Sequence, residues 1–161
     1  MTADQEGAPM TFRQVKDIIT LVRNCHRQLR EWLELPRTRT RDDATARLME
    51  MLRRDENALQ IAMTQMGSDE DQAVLNTWLQ YAPSEEVTDT LKLIRFDANL
   101  PIDEVLARKQ RLDDALLRLY GQLASSCSAP RVQELFRRLH EYTESRVHSQ
   151  SWAVRDPQGP Q

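Results

Sequence analysis

The residues best equipped for chemistry in this 161-residue chain are acids and histidines spaced along amphipathic stretches. His140, Glu144 and His148 stand at i, i+4 and i+8, so neighbouring members can approach one cation if the segment is helical. Each four-residue step turns about 40° around a helix, so the two histidines diverge by about 80° and a complete site needs ligands from another element. The alternative is a half-exposed helix edge with a glutamate between two hydrogen-bond donors. Asp55, Glu56 and Asp113 interrupt apolar stripes, and a buried carboxylate requires a partner or a raised pKa. Structural ion pairs are expected there, with Arg23, Arg27, Arg53, Arg54 or Arg111 as the positive end. Retained metal is the other reading of these acids, and Glu56, Asp113, Glu141, Glu144, His140 and His148 are then the candidate ligands.

Other chemistries find less support. Neither a strand-to-helix elbow nor an organised nucleophile, base and orienting acid can be identified, and no Gly-rich phosphate loop occurs. Cys25 falls on an apolar stripe, where burial raises a thiol pKa instead of producing a reactive thiolate. Cys25 and Cys127 lack a Cys-x-x-Cys spacing and read as two buried thiols in a reducing compartment. His26, beside the same stripe, reads as a boundary histidine. Met49, Met51, Met63 and Met66 at helical spacing read as core packing before an adaptable groove.

Charge narrows the partners. A formal net charge of -3 argues against a nucleic-acid-binding surface, which needs a strongly basic face. Arg37, Arg39 and Arg41, joined by Arg27 and Arg30, make the nearest approach to a basic patch. They read as a solvated loop, or else as a docking site for an anionic ligand or phosphoprotein through forked guanidinium hydrogen bonds. No segment approaches about 18 consecutive apolar residues, so a membrane span is not expected. The polar residues 1–10 have no apolar core of a secretion signal, and a cytoplasmic location is expected.

The elements that must position these side chains are helices. Hydrophobic residues make up 40% of the chain and charged residues 29%, with 4 glycines and 6% aromatics, a composition of helix formers able to supply one core. Thr11 with Gln14 can form a capping box, opening a first helix that runs to about Leu35 before Pro36 stops it. Phe12, Val15, Ile18, Ile19, Val22, Cys25, Leu29, Trp32 and Leu33 form its stripe. A second helix spans about 41–66 and ends at Gly67. A third begins near Pro101, whose missing amide hydrogen suits a first helical turn, and carries Val105, Leu112, Leu116, Leu119, Tyr120 and Leu123 inward. The fourth runs from about Pro130 towards Trp152, burying Val132, Leu135, Phe136, Leu139 and Val147.

Residues 1–10 are expected to be flexible, 11–152 to form one domain, and 153–161 to be a disordered tail. Between the second and third helices lie roughly 34 residues, about 67–100, too many for a simple turn. Two short helices are expected there. One starts at Ser68 and carries Val74, Leu75, Trp78 and Leu79 until Pro83. The other starts at Ser84 and carries Val87, Leu91, Ile94 and Phe96. Trp78 and Tyr81 either cover the helices or, if the crossover projects, anchor a protein interface.

The segment Leu29-Arg30-Glu31-Trp32-Leu33-Glu34-Leu35 is answered by Leu117-Arg118-Leu119-Tyr120-Gly121-Gln122-Leu123. Each is followed, after a Pro-containing break, by a second apolar helix, at Leu48 to Leu52 and at Leu135 to Leu139. With its long crossover, this duplicated hairpin resembles the ferritin-like superfamily, including rubrerythrin-like relatives, over residues 11–152. The resemblance implies an all-α four-helix bundle of two related hairpins. It also implies a dimetal centre held by a Glu on the first and third helices and a Glu-x-x-His pair on the second and fourth. Counted back two turns from Trp32 and Tyr120, the first pair of positions holds Cys25 and Asp113. Asp55 and Glu56 are followed three residues later by Ala58 and Leu59, and Glu141 and Glu144 by Glu144 and Val147, so neither Glu-x-x-His pair is present. The expectation is therefore a non-enzymatic bundle without cofactor, acting in protein interaction or assembly and plausible as a homodimer. A divergent iron or manganese oxidoreductase in oxidative-stress defence and an anion-binding module are the alternatives.

Overall fold

The computed structural model describes residues 12–35, 43–65 and 69–155, the side chains of 69–70 and 151–155 excepted. Six helices account for nearly all of these: α1 (Val15–Leu33), α2 (Asp43–Thr64), α3 (Asp69–Leu75), α4 (Glu85–Leu93), α5 (Ile102–Ser126) and α6 (Pro130–Arg155). Among the described residues there is no strand, only an isolated antiparallel bridge between Gln14 and Trp78. No helix among them is long and apolar enough to cross a membrane.

The three-and-four spacing of apolar residues on α1 places Val15, Ile18, Val22, Cys25, Leu29, Trp32 and Leu33 in the core, each at most 2% exposed. Full burial of one such aliphatic side chain contributes about 1.5–3 kcal/mol, which is why a stripe of this length decides the helix orientation. α1 starts later than the Thr11 reading puts it. Gln14 is the cap, and the Asp17 carboxylate accepts the N–H groups of Gln14 at 2.9 Å and Arg13 at 3.0 Å. Asp17 thereby satisfies amides that the first turn leaves unpaired. Thr11, Pro36, Met66, Gly67 and Ser68 lie outside the described residues, as do the expected N-terminal segment and residues 156–161 of the expected tail, whereas α6 continues to Arg155 and makes 153–155 helical instead of part of that tail.

α1 packs against α2, α3, α4 and α5, and α6 packs against α2 and α5. α1 and α2 run antiparallel: Arg53 Nε donates to the Leu33 carbonyl at 2.9 Å, while His26, two turns earlier on α1, meets Glu56, further along α2. α5 and α6 are likewise antiparallel. Tyr120 stacks on Phe136 with ring centroids 6.2 Å apart, and Lys109 near the start of α5 meets Gln150 near the end of α6. Pro101 serves as the N-cap of α5 instead of its first helical residue.

The crossover departs from the sequence expectation in one informative way. α3 stops at Leu75, so Trp78 and Leu79 are not carried on it. The next residues form an extended rung against the start of α1, with Val15 N–H donating to Thr77 O at 3.0 Å and Leu79 N–H to Arg13 O at 2.7 Å. Backbone pairing with α1 wins over one further helical turn, and it turns Trp78 outward. α4 begins after Ser84 as expected, but ends at Leu93; Ile94 and Phe96 reach the core from extended backbone beyond it.

Candidate functional site

Polar side chains from all four long helices meet in the interior, from the middle of α1 and α2, the first half of α5 and the second half of α6. On α1, His26 Nδ1 lies 2.8 Å from Glu56 Oε2 on α2, and both residues are buried, at 8% and 6% exposure. An ionised carboxylate can only accept, so Nδ1 carries the proton and donates it to Glu56. On α5, Lys109 Nζ donates to Asp113 Oδ2 at 2.5 Å, one turn along the same helix, and also to Gln150 Oε1 on α6. Gln150 spends its amide nitrogen on Asp55 Oδ2 of α2 at 2.9 Å. Arg146 donates to Asp55 Oδ1 at 3.3 Å, and Tyr142 Oη to the Asp55 carbonyl at 3.1 Å. One polar chain therefore links α5, α6 and α2 through Lys109, Gln150 and Asp55, with the His26–Glu56 pair adjacent.

This arrangement explains the pKa directions. Burial alone would raise Glu56, but the charge and hydrogen bond of His26, aided by Lys109 and Arg30, outweigh it and hold the carboxyl below its ordinary value. Asp113 goes the other way: burial raises it, and Lys109 only partly offsets the penalty. Tyr142 is raised by burial and by the neighbouring Asp55 charge. Cys25 is pushed up to about 11 by burial, with its Sγ 3.3 Å from the Leu91 carbonyl of α4. Both cysteines are buried and free.

The interior acids are thus paired, but not by the expected arginines. Arg53 turns to Leu33 O and to Glu50 at 3.2 Å; Arg111 lies 3.9 Å from Glu104; Arg54 is exposed. Lys109, His26, Arg146, Gln150 and Tyr142 take the role instead. The sequence does carry a signal for Lys109. It falls in the gap between Val105 and Leu112 of the α5 stripe, four residues before Asp113, which is where a buried i, i+4 pair belongs. Tyr142, Arg146 and Gln150 likewise share one face of α6 at four-residue spacing. His26 proves to be buried and engaged, not a boundary residue.

The candidate metal ligands are not brought to one place: they fall into an interior pair, Glu56 and Asp113, and a separate set on the surface of α6. Glu56 and Asp113 border one interior cavity of about 20 Å3, shared with Lys109 and Gln150. Glu141, Glu144 and His148 are exposed, and His140 is half-buried. His140 Nδ1 lies 3.5 Å from Glu144 Oε2, so the first step of the ladder forms, on the surface of α6. Among the described residues no three His, Cys, Asp or Glu side chains are placed to hold a metal ion. The dimetal centre implied by the ferritin-like resemblance does not fit these residues. An ammonium group with two acceptors, Asp113 and Gln150, stands among the interior acids where the resemblance would put a cation.

Trp78 and Tyr81 are 66% and 68% exposed, so neither covers the helices, although the crossover itself packs on them through α3, α4 and Leu79. The loop arginines Arg37, Arg39 and Arg41 lie outside the described residues. A different basic surface is seen, however: Arg23, Arg27 and Arg30 line a cleft of about 300 Å3 between α1 and α2.

Fold and site together define an all-helical protein whose long helices are tied by a buried charge network. Compared with family models, curated proteins and solved structures, the chain matches none.

Proposed function

We propose that the chain is a cytoplasmic, non-enzymatic four-helix bundle of ferritin-like connectivity that acts in protein interaction or assembly, with a second copy of itself as partner. Support for the connectivity comes from the antiparallel α1/α2 and α5/α6 pairs separated by a crossover holding α3 and α4. The interior acids are engaged by His26, Lys109, Gln150 and Arg146, which makes them structural ties between helices. Buried ion pairs of this sort specify one helix register more than they add stability.

The observation that carries the reading is the presentation of Trp78 and Tyr81. Both are two-thirds exposed, on a segment whose backbone is fastened to the start of α1 by two hydrogen bonds. Large aromatic residues dominate interface energetics, and a pre-positioned backbone spares the cost of ordering a loop on binding. Long helices flanking such an anchor offer the self-complementary face that a twofold dimer requires. Sedimentation velocity over about a hundredfold range of protein concentration tests this. A dimer in the wild type that Trp78→Ser with Tyr81→Ser converts to monomer is the expected outcome. A monomer throughout the range, or a dimer indifferent to both substitutions, overturns it.

A further inference from the structure

The cleft between α1 and α2 is lined by Thr20, Arg23, Asn24, His26, Arg27 and Arg30 on one side and by Leu59, Gln60 and Met63 on the other. Among the described residues no acid lines it, although acids outnumber bases in the whole chain. Arg23, Arg27 and Arg30 follow one another at i, i+4 and i+7, so three like charges stack along one helix face, an arrangement that weakens a helix unless something neutralises it. Arg27 has partial relief: its guanidinium donates to Asn24 at 2.5 Å and lies 3.7 Å from an exposed Glu31. Arg23 and Arg30 form no ion pair with any described residue. Arg30 acts at a distance on Glu56, and His26 borders both this cleft and the buried network.

We propose that this cleft binds a small phosphate monoester, its dianionic head held by Arg23, Arg27 and Arg30 and its body resting on Leu59 and Met63. Guanidinium forks match phosphate oxygens in pairs, and three of them suit a double charge better than a single one. Leu59 and Met63, 8% and 6% exposed, form an apolar floor beside the arginines that a compact organic body can touch and a bare anion cannot use. The volume of about 300 Å3 lies at the small end of ligand sites and fits one compact molecule. His26, with Nδ1 committed to Glu56, borders both the cleft and the interior charge network. The site does not depend on self-association and stands or falls separately from it.

Isothermal titration of the full chain at low salt, with phenyl phosphate, inorganic phosphate and benzoate as probes, tests the assignment. Saturable binding of phenyl phosphate is expected, tighter than inorganic phosphate and benzoate, and weakened at least about tenfold when salt is raised from about 0.05 to 0.5 M. Arg23→Gln with Arg30→Gln removes it by a similar factor, whereas Arg37→Gln with Arg39→Gln leaves it unchanged. Both pairs preserve helix propensity, and Arg30→Lys, which keeps the charge but not the fork, weakens binding in a protein of unaltered circular dichroism. Absence of saturable phenyl phosphate binding, equal affinity for benzoate, or binding lost through Arg37 and Arg39 instead overturns the proposal.

Discussion

Replacing Lys109 by Met removes the ammonium that ties Asp113 and Gln150 in the interior. The side chains of Lys109 and Asp113 are 7% and 14% exposed and meet at 2.5 Å. A pair so nearly dry falls in the class where removing one partner costs about 3–5 kcal/mol, because the other charge stays buried without compensation. Methionine keeps the stem volume, so little of this is a packing loss. Relief comes from protonation: the Asp113 carboxyl is already raised by burial, and it rises further once the ammonium is gone. A folded-state pKa above the unfolded value favours the fold at low pH and counts against it as pH rises through that value. The difference between variant and wild type should therefore be about 3 kcal/mol at pH 7 and shrink towards pH 5. For a chain of this length that corresponds to a melting temperature lower by about 6–12 °C at neutral pH. Urea and thermal unfolding followed by circular dichroism at several pH values read both quantities. A loss below about 0.5 kcal/mol at pH 7, the size of a surface substitution, would refute the burial argument. A loss that stays constant with pH would show that Asp113 does not take up the proton. As a further control, Lys109→Met with Asp113→Leu should recover most of the stability, since an apolar pair of similar volume replaces a buried ion pair at little cost.

Two other expectations rest on the same interior. The Glu56 carboxyl is held below its ordinary value by His26, so its contribution is present above the unfolded glutamate pKa and is lost as pH falls through the folded one. Acid unfolding of Glu56→Gln should accordingly lack the part of the pH dependence below about 4.5 that the wild type shows, and coincident acid-unfolding curves would exclude the pair as a source of stability. The Cys25 thiol, raised to about 11, leaves about one thiolate in a thousand at pH 8, so iodoacetamide should modify it only as fast as the protein unfolds. Mass spectrometry showing rapid native-state alkylation at Cys25 would contradict its burial against Leu91.

Residue periodicity together with capping and breaking residues determined the all-helical class, the extents of α1, α2, α5 and α6 to within a few residues, and the start of α4. Those features follow from backbone hydrogen bonds within a segment and from which face carries Leu, Ile and Val, and both are local. The burial of Cys25 was legible for the same reason, because a thiol in the middle of an apolar stripe goes where the stripe goes. The pairing of the interior acids was not legible in the same way. Glu56 could be recognised as an interruption of its stripe, but its partner His26 lies thirty residues away on another helix, and no local pattern separates it from Arg23 or Arg27 beside it. Lys109 prevails over the arginines because it lies within the apolar stripe of α5, which the sequence shows, but the acceptor that completes its pairing, Gln150, is supplied only once α6 packs against it. Trp78 shows the same limit from the surface side. Its helical spacing from Val74 and Leu75 predicts burial, yet a backbone rung between the crossover and α1 ends the helix and turns the indole to solvent. Which polar groups meet is a property of register between helices, and register is settled by the sum of packing across the whole core instead of by any one segment.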